Sequence, residues 1–194
     1  WNMAKRKEFD LRFKIKPEIP AVVDQLPGMV VNPKSLFPFA YNGSIIKYGE
    51  RMFLAYRYHH GRSWETSLAI AELDSHFNVK ENKKVTLPGL SNEDPRLFEH
   101  RGALMISYIH VFSRTATCVR YGKLIEGKEW TVEDQIQVKY GKNDGSGFEK
   151  NWCPFSWQKK VGFVYGSEPK HTVIQVDHDQ VIQELKTDHL AWKW

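Results

Sequence analysis

The chain has 194 residues, of which 41% are hydrophobic and 13% aromatic, so it carries enough apolar material for a folded core and is not a disordered segment. Its 28 basic and 23 acidic residues give a formal net charge of +5. The two signs are interspersed without a long block of either, so the charge points only weakly to an anionic partner.

The first 36 residues are predicted to be a lead-in to the folded domain. Their basic run, from Met3 to Lys16, is compatible with an anionic surface, but no aromatic-rich RNA-recognition signature follows it. A solvated terminus is therefore favoured, and no nucleic-acid partner is predicted. No apolar run reaches the roughly 18 residues of a membrane span, and the N-terminus lacks the apolar core of a signal peptide. The sequence therefore predicts a soluble protein without a membrane partner, and leaves its localisation open.

Residues 37–194 are predicted to form an all-β domain. Short runs rich in β-branched and aromatic residues are separated by Gly, Pro, Asn and Asp, and no long amphipathic helix is evident. In chain order the clearest predicted strands are RMFLAYRY (51–58), SLAIAEL (67–73), ALMISYIH (103–110), ATCVRYG (116–122), VGFVYGS (161–167) and TVIQVD (172–177).

These strands belong to an internal repeat. The segments 42–56, 94–108 and 151–165 align without a gap, each ends in Tyr, and each is followed by further strands in the same order. Repetition at a little more than the roughly 40 to 50 residues of a propeller blade predicts a β-propeller of four-stranded blades. The predicted blades are blade 1 (about 41–90), blade 2 (about 91–148) and blade 3 (about 149–188), and the propeller is expected to be incomplete at the C-terminus of the chain.

The repeat also predicts a site. The innermost strand of every propeller blade begins near one end of the central channel, so Asn42, Asp94 and Asn151 are expected around one axial funnel. Because neighbouring strand residues point to opposite faces, Asp94 is expected to enter the funnel and the adjacent Glu93 is not. An alternative stays open, in which these polar residues only cap the channel and satisfy backbone groups of the inner strands.

Three motifs carry a family resemblance: NGSIIKYGERMFLAYR, EDPRLFEHRGALMISY and EKNWCPFSWQKKVGFVYGSEP. Together they resemble the five-bladed propeller glycosidases of the arabinanase and sucrase-like superfamily, and most closely glycoside hydrolase family 130 with the related β-mannosyltransferases and phosphorylases. The similar region runs from about Asn42 to Asp177. The resemblance implies five blades, of which this chain would cover three to four. Missing C-terminal blades or an oligomer are therefore expected to complete the ring.

The resemblance implies a role for each matching residue. Asp94 would be the general acid that cleaves a β-mannosidic bond, passing its proton through a hydroxyl group of the substrate. Arg57 and Arg96 would position sugar hydroxyls or an anion, and Lys150 would bind inorganic phosphate as co-substrate, with no other cofactor. The remaining residues expected to contact an oligosaccharide or glycoside are Asn42, Glu93, Asn151 and, by stacking on a sugar ring, Trp152. Glu168 is a weaker candidate for a second carboxylate.

Other motifs are assigned no chemistry. His59 and His60 are sequence neighbours, which rarely ligate one metal, and no ligand spacing occurs elsewhere, so no metal site is predicted. The NDGSG segment (143–147) lacks the lysine and the following helix of a phosphate-binding loop and is predicted to be a flexible turn.

Two functions from different classes remain open. One is a carbohydrate-active enzyme that acts on β-mannosides or similar glycosides by phosphorolysis, glycosyl transfer or hydrolysis. The other is a non-catalytic propeller that binds glycans or proteins in a structural or recognition role. A fold does not decide between them, because one fold hosts many functions.

Overall fold

The computed structural model describes residues 36–60, 65–89, 91–166 and 170–188, all within the structural unit Pro33–Trp194. Every regular element in these ranges is a β-strand, which confirms the all-β prediction. A membrane-crossing helix is not found among the described residues. The basic run at residues 3–16, Trp64 and Glu168 lie outside the described residues.

The described chain forms twelve strands in three successive four-stranded meanders. The first meander contains β1 (Tyr41–Tyr48), β2 (Arg51–His59), β3 (Thr66–Leu73) and β4 (Val79–Thr86). The second contains β5 (Ser91–His100), β6 (Ala103–Ser113), β7 (Ala116–Ile125) and β8 (Trp130–Gln137). The third contains β9 (Cys153–Trp157), β10 (Lys160–Gly166), β11 (Lys170–Asp177) and β12 (Gln180–Asp188).

Within each meander, neighbouring strands pair antiparallel in chain order. The outer strands β4 and β8 meet through two parallel residue pairs, which join the first two meanders into one sheet of order β1-β2-β3-β4-β8-β7-β6-β5. Its end strands β1 and β5 contact each other, so the eight-stranded sheet is nearly closed and barrel-like. The third meander is a separate sheet, and its first strand, β9, lies against β5.

Each repeated segment folds as a hairpin rather than as one strand. Two-residue turns connect β5 to β6 and β9 to β10, and both residues of each turn have positive φ: Arg101 (50°) and Gly102 (72°), then Gln158 (49°) and Lys159 (64°). Positive φ at both central residues is the geometry that matches the twist of antiparallel strands. The turns therefore fix the register of the repeated hairpins.

The first and second meanders pack face to face, and this contact is called the first interface below. Alternate residues of β2 and β3 on one face, such as Phe53 and Ile70, pack with residues of the second meander that include Leu104, Ile106 and Tyr108. These residues share one face because side chains alternate along a strand, which places every second side chain on the same side of the sheet. The ring of Phe53 meets Trp130 edge to face at 5.6 Å between centroids.

The second and third meanders form the second interface, which is richer in aromatic side chains. Phe163, which is fully buried, packs against Tyr121 and Trp152 at ring-centroid distances of 5.7 and 5.6 Å. The aliphatic members of this core include Val161 and Ile174 on the third meander. The second meander thus uses one face for the first meander and the other face for the third.

The connection between the second and third meanders forms a turn where residues 143–147 were predicted to form one. Its residue Asn143 is fully buried. Its side chain accepts a hydrogen bond from the Val119 backbone N–H (2.5 Å) and donates to the carbonyls of Val119 (2.9 Å) and Val138 (2.8 Å). Backbone groups at the end of a sheet need such partners when they are buried, and Asn143 supplies both an acceptor and a donor.

Candidate functional site

The three residues that open the repeated segments share one unusual backbone conformation. Asn42, Asp94 and Asn151 have φ values of 51°, 46° and 64°, in the left-handed region. Asn and Asp enter this region more readily than other non-glycine residues. The backbone therefore explains why Asn, Asp and Asn recur here, independently of any function.

Irregular pairing at the strand starts directs these side chains toward one place. The β1–β2 register shifts between Tyr41 and Ser44, and the β5–β6 register shifts between Glu93 and Arg96. A bulge of this kind bends a strand locally and re-aims its side chains. The result is a pocket of about 300 Å³ lined by Asn42, Gly43, Asp94, Pro95, Arg96 and Asn151.

Asp94 is held in this pocket through one of its two carboxylate oxygens. Oδ1 accepts a hydrogen bond from Asn42 Nδ2 (2.6 Å) and lies 3.1 Å from Arg57 Nη1. Within the described part of the chain, Oδ2 makes no hydrogen bond. The carboxylate is therefore oriented by the first meander, while one oxygen is left to interact with a ligand.

Glu93 lies beside the pocket and does not line it. Its Oε2 is 3.1 Å from Arg57 Nη1 and 3.4 Å from Lys150 Nζ. Strict alternation would have turned Glu93 to the opposite face from Asp94, but the bulge interrupts it, so both carboxylates reach the same nitrogen of Arg57. Of these two neighbours, only Asp94 lines the pocket, as expected, although both contact Arg57.

Arg96 is the cation that lines the pocket itself. Its side chain is partly buried and forms no ion pair among the described residues. Lys150, by contrast, is engaged by Glu93, and its ammonium group lies 5.7 Å from the centre of the Phe148 ring. The cation best placed to meet oxygens of a ligand in this pocket is therefore Arg96.

Trp152 is in the hydrophobic core rather than at the pocket, which corrects its predicted role in sugar stacking. Its side chain is 1% exposed, and its indole N–H donates to Glu149 Oε2 at 3.1 Å. The Glu149 carboxylate also accepts hydrogen bonds from the Lys142 backbone and the Tyr165 hydroxyl. With both ring faces covered, Trp152 has no surface on which a sugar could stack.

Two residues that support Arg57 were not identified from the sequence. The guanidinium carbon of Arg57 lies 4.1 Å from the centre of the Tyr41 ring, its cross-strand neighbour. The Tyr41 hydroxyl lies 2.6 Å from Nε2 of His59, and burial raises the pKa of this hydroxyl, an effect that the Arg57 charge partly opposes. Finding this cluster from sequence would have required the register of β1 against β2, which depends on the bulge.

The remaining candidate groups do not form a metal site. Cys118 and Cys153 are free thiols, the first buried and the second exposed. Among the residues that the structure describes, no three His, Cys, Asp or Glu side chains are grouped so that they could hold a metal ion. His178 lies in the two-residue turn between β11 and β12.

Neither a model of a known protein family nor a curated protein matches this chain. A function for the pocket must therefore be argued from the residues themselves.

Proposed function

We propose that the three meanders are blades of a β-propeller and that the Asp94 pocket binds a β-mannoside or similar glycoside for enzymatic turnover, as in the family that the motifs resemble. The arrangement that supports the blades is the sequence of four-stranded meanders whose first strands lie side by side, β1 against β5 and β5 against β9. Stacked four-stranded sheets around an axis have this neighbour relation.

The observation that carries the proposed activity is the convergence at the pocket. Three equivalent strand starts bring Asn42, Asp94 and Asn151 together, and Arg96 adds a cation without an ion-pair partner in the described residues. The volume of the pocket, about 300 Å³, is in the range of small-ligand sites. A polar pocket with one carboxylate, two amides and one guanidinium is suited to the hydroxyl groups of a sugar.

The chemistry proposed for Asp94 is general acid catalysis. Because Arg57 and Asn42 occupy Oδ1, the proton would leave from Oδ2. The glycosidic C–O bond breaks, the proton reaches the leaving oxygen through a substrate hydroxyl, and an oxygen of phosphate, of an acceptor sugar or of water bonds to the anomeric carbon. Arg96 would orient the sugar or the phosphate, since it lines the pocket and has no ion pair with any residue that the structure describes.

Two contacts favour the second candidate, a propeller that binds glycan without turnover. The Asn42–Asp94 hydrogen bond and the Arg57–Asp94 ion pair both join the first meander to the second. Such links stabilise the packing of two sheets whether or not Asp94 ever transfers a proton. The test must therefore separate folding, binding and turnover.

The test is a product assay on a panel of β-mannosides and mannose 1-phosphate, with and without inorganic phosphate, for the parent and the Asp94→Asn variant. If the proposal is right, turnover is detected and falls by roughly a hundredfold or more in the variant, as expected for loss of a general acid. The matched control is Glu99→Gln, which removes an exposed carboxylate from the far end of the same strand.

Glycan affinity and thermal unfolding are measured on the same three proteins. Absence of turnover, with Asp94→Asn folded and binding glycan as well as the parent, would overturn the enzyme proposal and support the binding protein. Turnover that requires phosphate would identify phosphorolysis, and turnover without phosphate would identify hydrolysis or glycosyl transfer.

A further inference from the structure

A second group of polar side chains lies at the opposite end of β5 from the Asp94 pocket. Here the β5–β6 and β9–β10 turns meet at the second interface, and Arg101 Nε donates to the Lys159 carbonyl across it at 2.8 Å. Asp94 and Arg101 are separated by roughly 20 Å of strand, given a rise of about 3.3 Å per residue. The two places are therefore distinct on the molecule.

Three exposed cations lie at this end: Arg101, Lys123 and Lys159, together called the basic seam. Within the described part of the chain, none of the three has an ion-pair partner. They line a cavity of about 170 Å³, which also receives Asp134 and the ion pair of Lys160 with Asp177. Cationic side chains thus outnumber anionic ones around this cavity.

The corresponding end of the first interface is neutralised by the chain itself. Arg51 bonds both Glu72 and Glu126, and Lys80 and Lys83 each contact one of these glutamates. The basic seam has no such glutamates. Since the two interfaces are built from the same repeat, the excess of cations over anions around this cavity is a property of the second one and not of the architecture.

The cavity is large enough for an ion, and two of its cations also line a second cavity. A water needs about 10–15 Å³ of such volume, so 170 Å³ is ample for a tetrahedral oxyanion with five heavy atoms. Arg101 and Lys123 also line a neighbouring cavity of about 490 Å³ at the first interface. A ligand held by these two cations therefore has room for an organic group beside its anionic one.

We propose that the basic seam is a binding site for the phosphate or sulfate group of a small organic ester, separate from the Asp94 pocket. Arg101 supplies a planar, multi-donor group that suits oxyanions, and Lys123 and Lys159 supply point charges on either side. Arg101 and Lys159 lie in the β5–β6 and β9–β10 turns, and both residues are exposed.

The experiment is a backbone amide NMR titration of the 194-residue chain with phenyl phosphate and, separately, phenyl sulfate, at constant ionic strength. Saturable shifts are expected at the amides of Arg101, Gly102, Lys123 and Lys159. The ester that binds more tightly identifies the phosphate or the sulfate as the natural group. The double variant Lys123→Gln/Lys159→Gln is expected to weaken binding by roughly tenfold or more, because it removes two of three cations.

The control for charge is Lys84→Gln/Lys142→Gln, which removes the same charge from exposed lysines that line neither cavity. It should leave the affinity within about twofold of the parent. Arg96→Gln alters the Asp94 pocket and not the basic seam. The ligand-induced amide shifts at the seam should be the same in this variant as in the parent, so the result does not depend on the proposed function. Shifts that fail to saturate, that are confined to the Asp94 pocket or that survive in the seam variant would each overturn the proposal.

Discussion

The two interfaces of this molecule are built on one repeated apolar pattern, yet the polar groups beside them are arranged differently. At the first interface, charge sits at the exposed edge, where Arg51 joins Glu72 to Glu126. The connection that leads into the second interface instead carries buried polar side chains: Asn143 and Glu149 are 0% and 7% exposed and fully hydrogen-bonded. The repeat therefore specifies how the meanders pack. The connection that follows each meander decides which groups form hydrogen bonds with the backbone at the end of the sheet.

The largest effect is expected from removing the buried side chain of Asn143, which anchors the connection between the second and third meanders to the second meander. Asn143→Ala leaves the Val119 N–H and the Val119 and Val138 carbonyls without their buried partner. Because each unsatisfied buried group costs about 1–3 kcal/mol, we expect the free energy of unfolding to fall by roughly 3 kcal/mol. Urea unfolding measures it. The control is Asn78→Ala, which removes an exposed amide of the first meander and should lower the free energy of unfolding by much less. Equal losses in the two variants would contradict the assignment of Asn143 as an anchor.

A smaller loss of stability is expected when the pH is lowered, because His110 at the first interface takes up a proton more readily in the unfolded chain. His110 lies on the face of β6 that carries Tyr108, and burial, with a further contribution from Arg120, lowers its pKa from 6.5 to about 4. The unfolded chain takes up a proton below pH 6.5 while the folded one stays neutral, so stability is lost as pH falls from about 6.5 to 4. We expect a loss of roughly 2 kcal/mol across this window.

The measurement is urea unfolding of the parent and of His110→Gln at several pH values between 7 and 4. Carboxylates also titrate near the lower end, so the difference between the two proteins isolates the histidine. A shallower decline in the variant supports the assignment. Identical declines would show that His110 does not carry the pH dependence of the first interface.

The smallest effect is expected at the exposed edge of the first interface. Arg51→Gln removes both ion pairs, but the arginine is 42% exposed, and exposed ion pairs contribute little. We expect a loss of less than about 1 kcal/mol, and less still at high salt, because salt screens exposed charges. Unfolding at low and high ionic strength, with Lys128→Gln as an exposed-lysine control, checks this. A loss as large as that of Asn143→Ala would remove the contrast between the interfaces.

The strands of the fold were largely predictable, because alternation and turn residues are local signals. Runs such as RMFLAYRY and ALMISYIH lie within β2 and β6. The extra strands β1, β5 and β9 were hidden inside the repeated segments, since a two-residue turn such as Arg101-Gly102 interrupts the apolar pattern only briefly. The buried place of Asn143 was also missed, because a turn signal does not report what the turn packs against.

The sequence predicted which three strand-start residues would meet at the candidate site, but it did not predict the contacts that they make. The repeat alone brought Asn42, Asp94 and Asn151 together in the prediction, and the structure places all three at one pocket. Trp152 was misplaced because the same position relative to a strand start holds Gly43 or Pro95 in the other repeats, which gives no information on the direction of a large side chain. The pairing of Glu93 with Arg57 depends on a bulge, which sequence alternation cannot represent.

The amino-acid sequence by itself determined the all-β class, the repeat and the residues that open each repeated segment, because these follow from short-range periodicity and from the backbone preferences of Asn, Asp and Gly. Only the tertiary structure decided which charges are paired and which are not. Arg51 and Arg101 look alike in sequence, but one lies between two glutamates and the other at a seam without them. Ion pairing depends on distances between residues remote in the chain, and packing alone sets those distances.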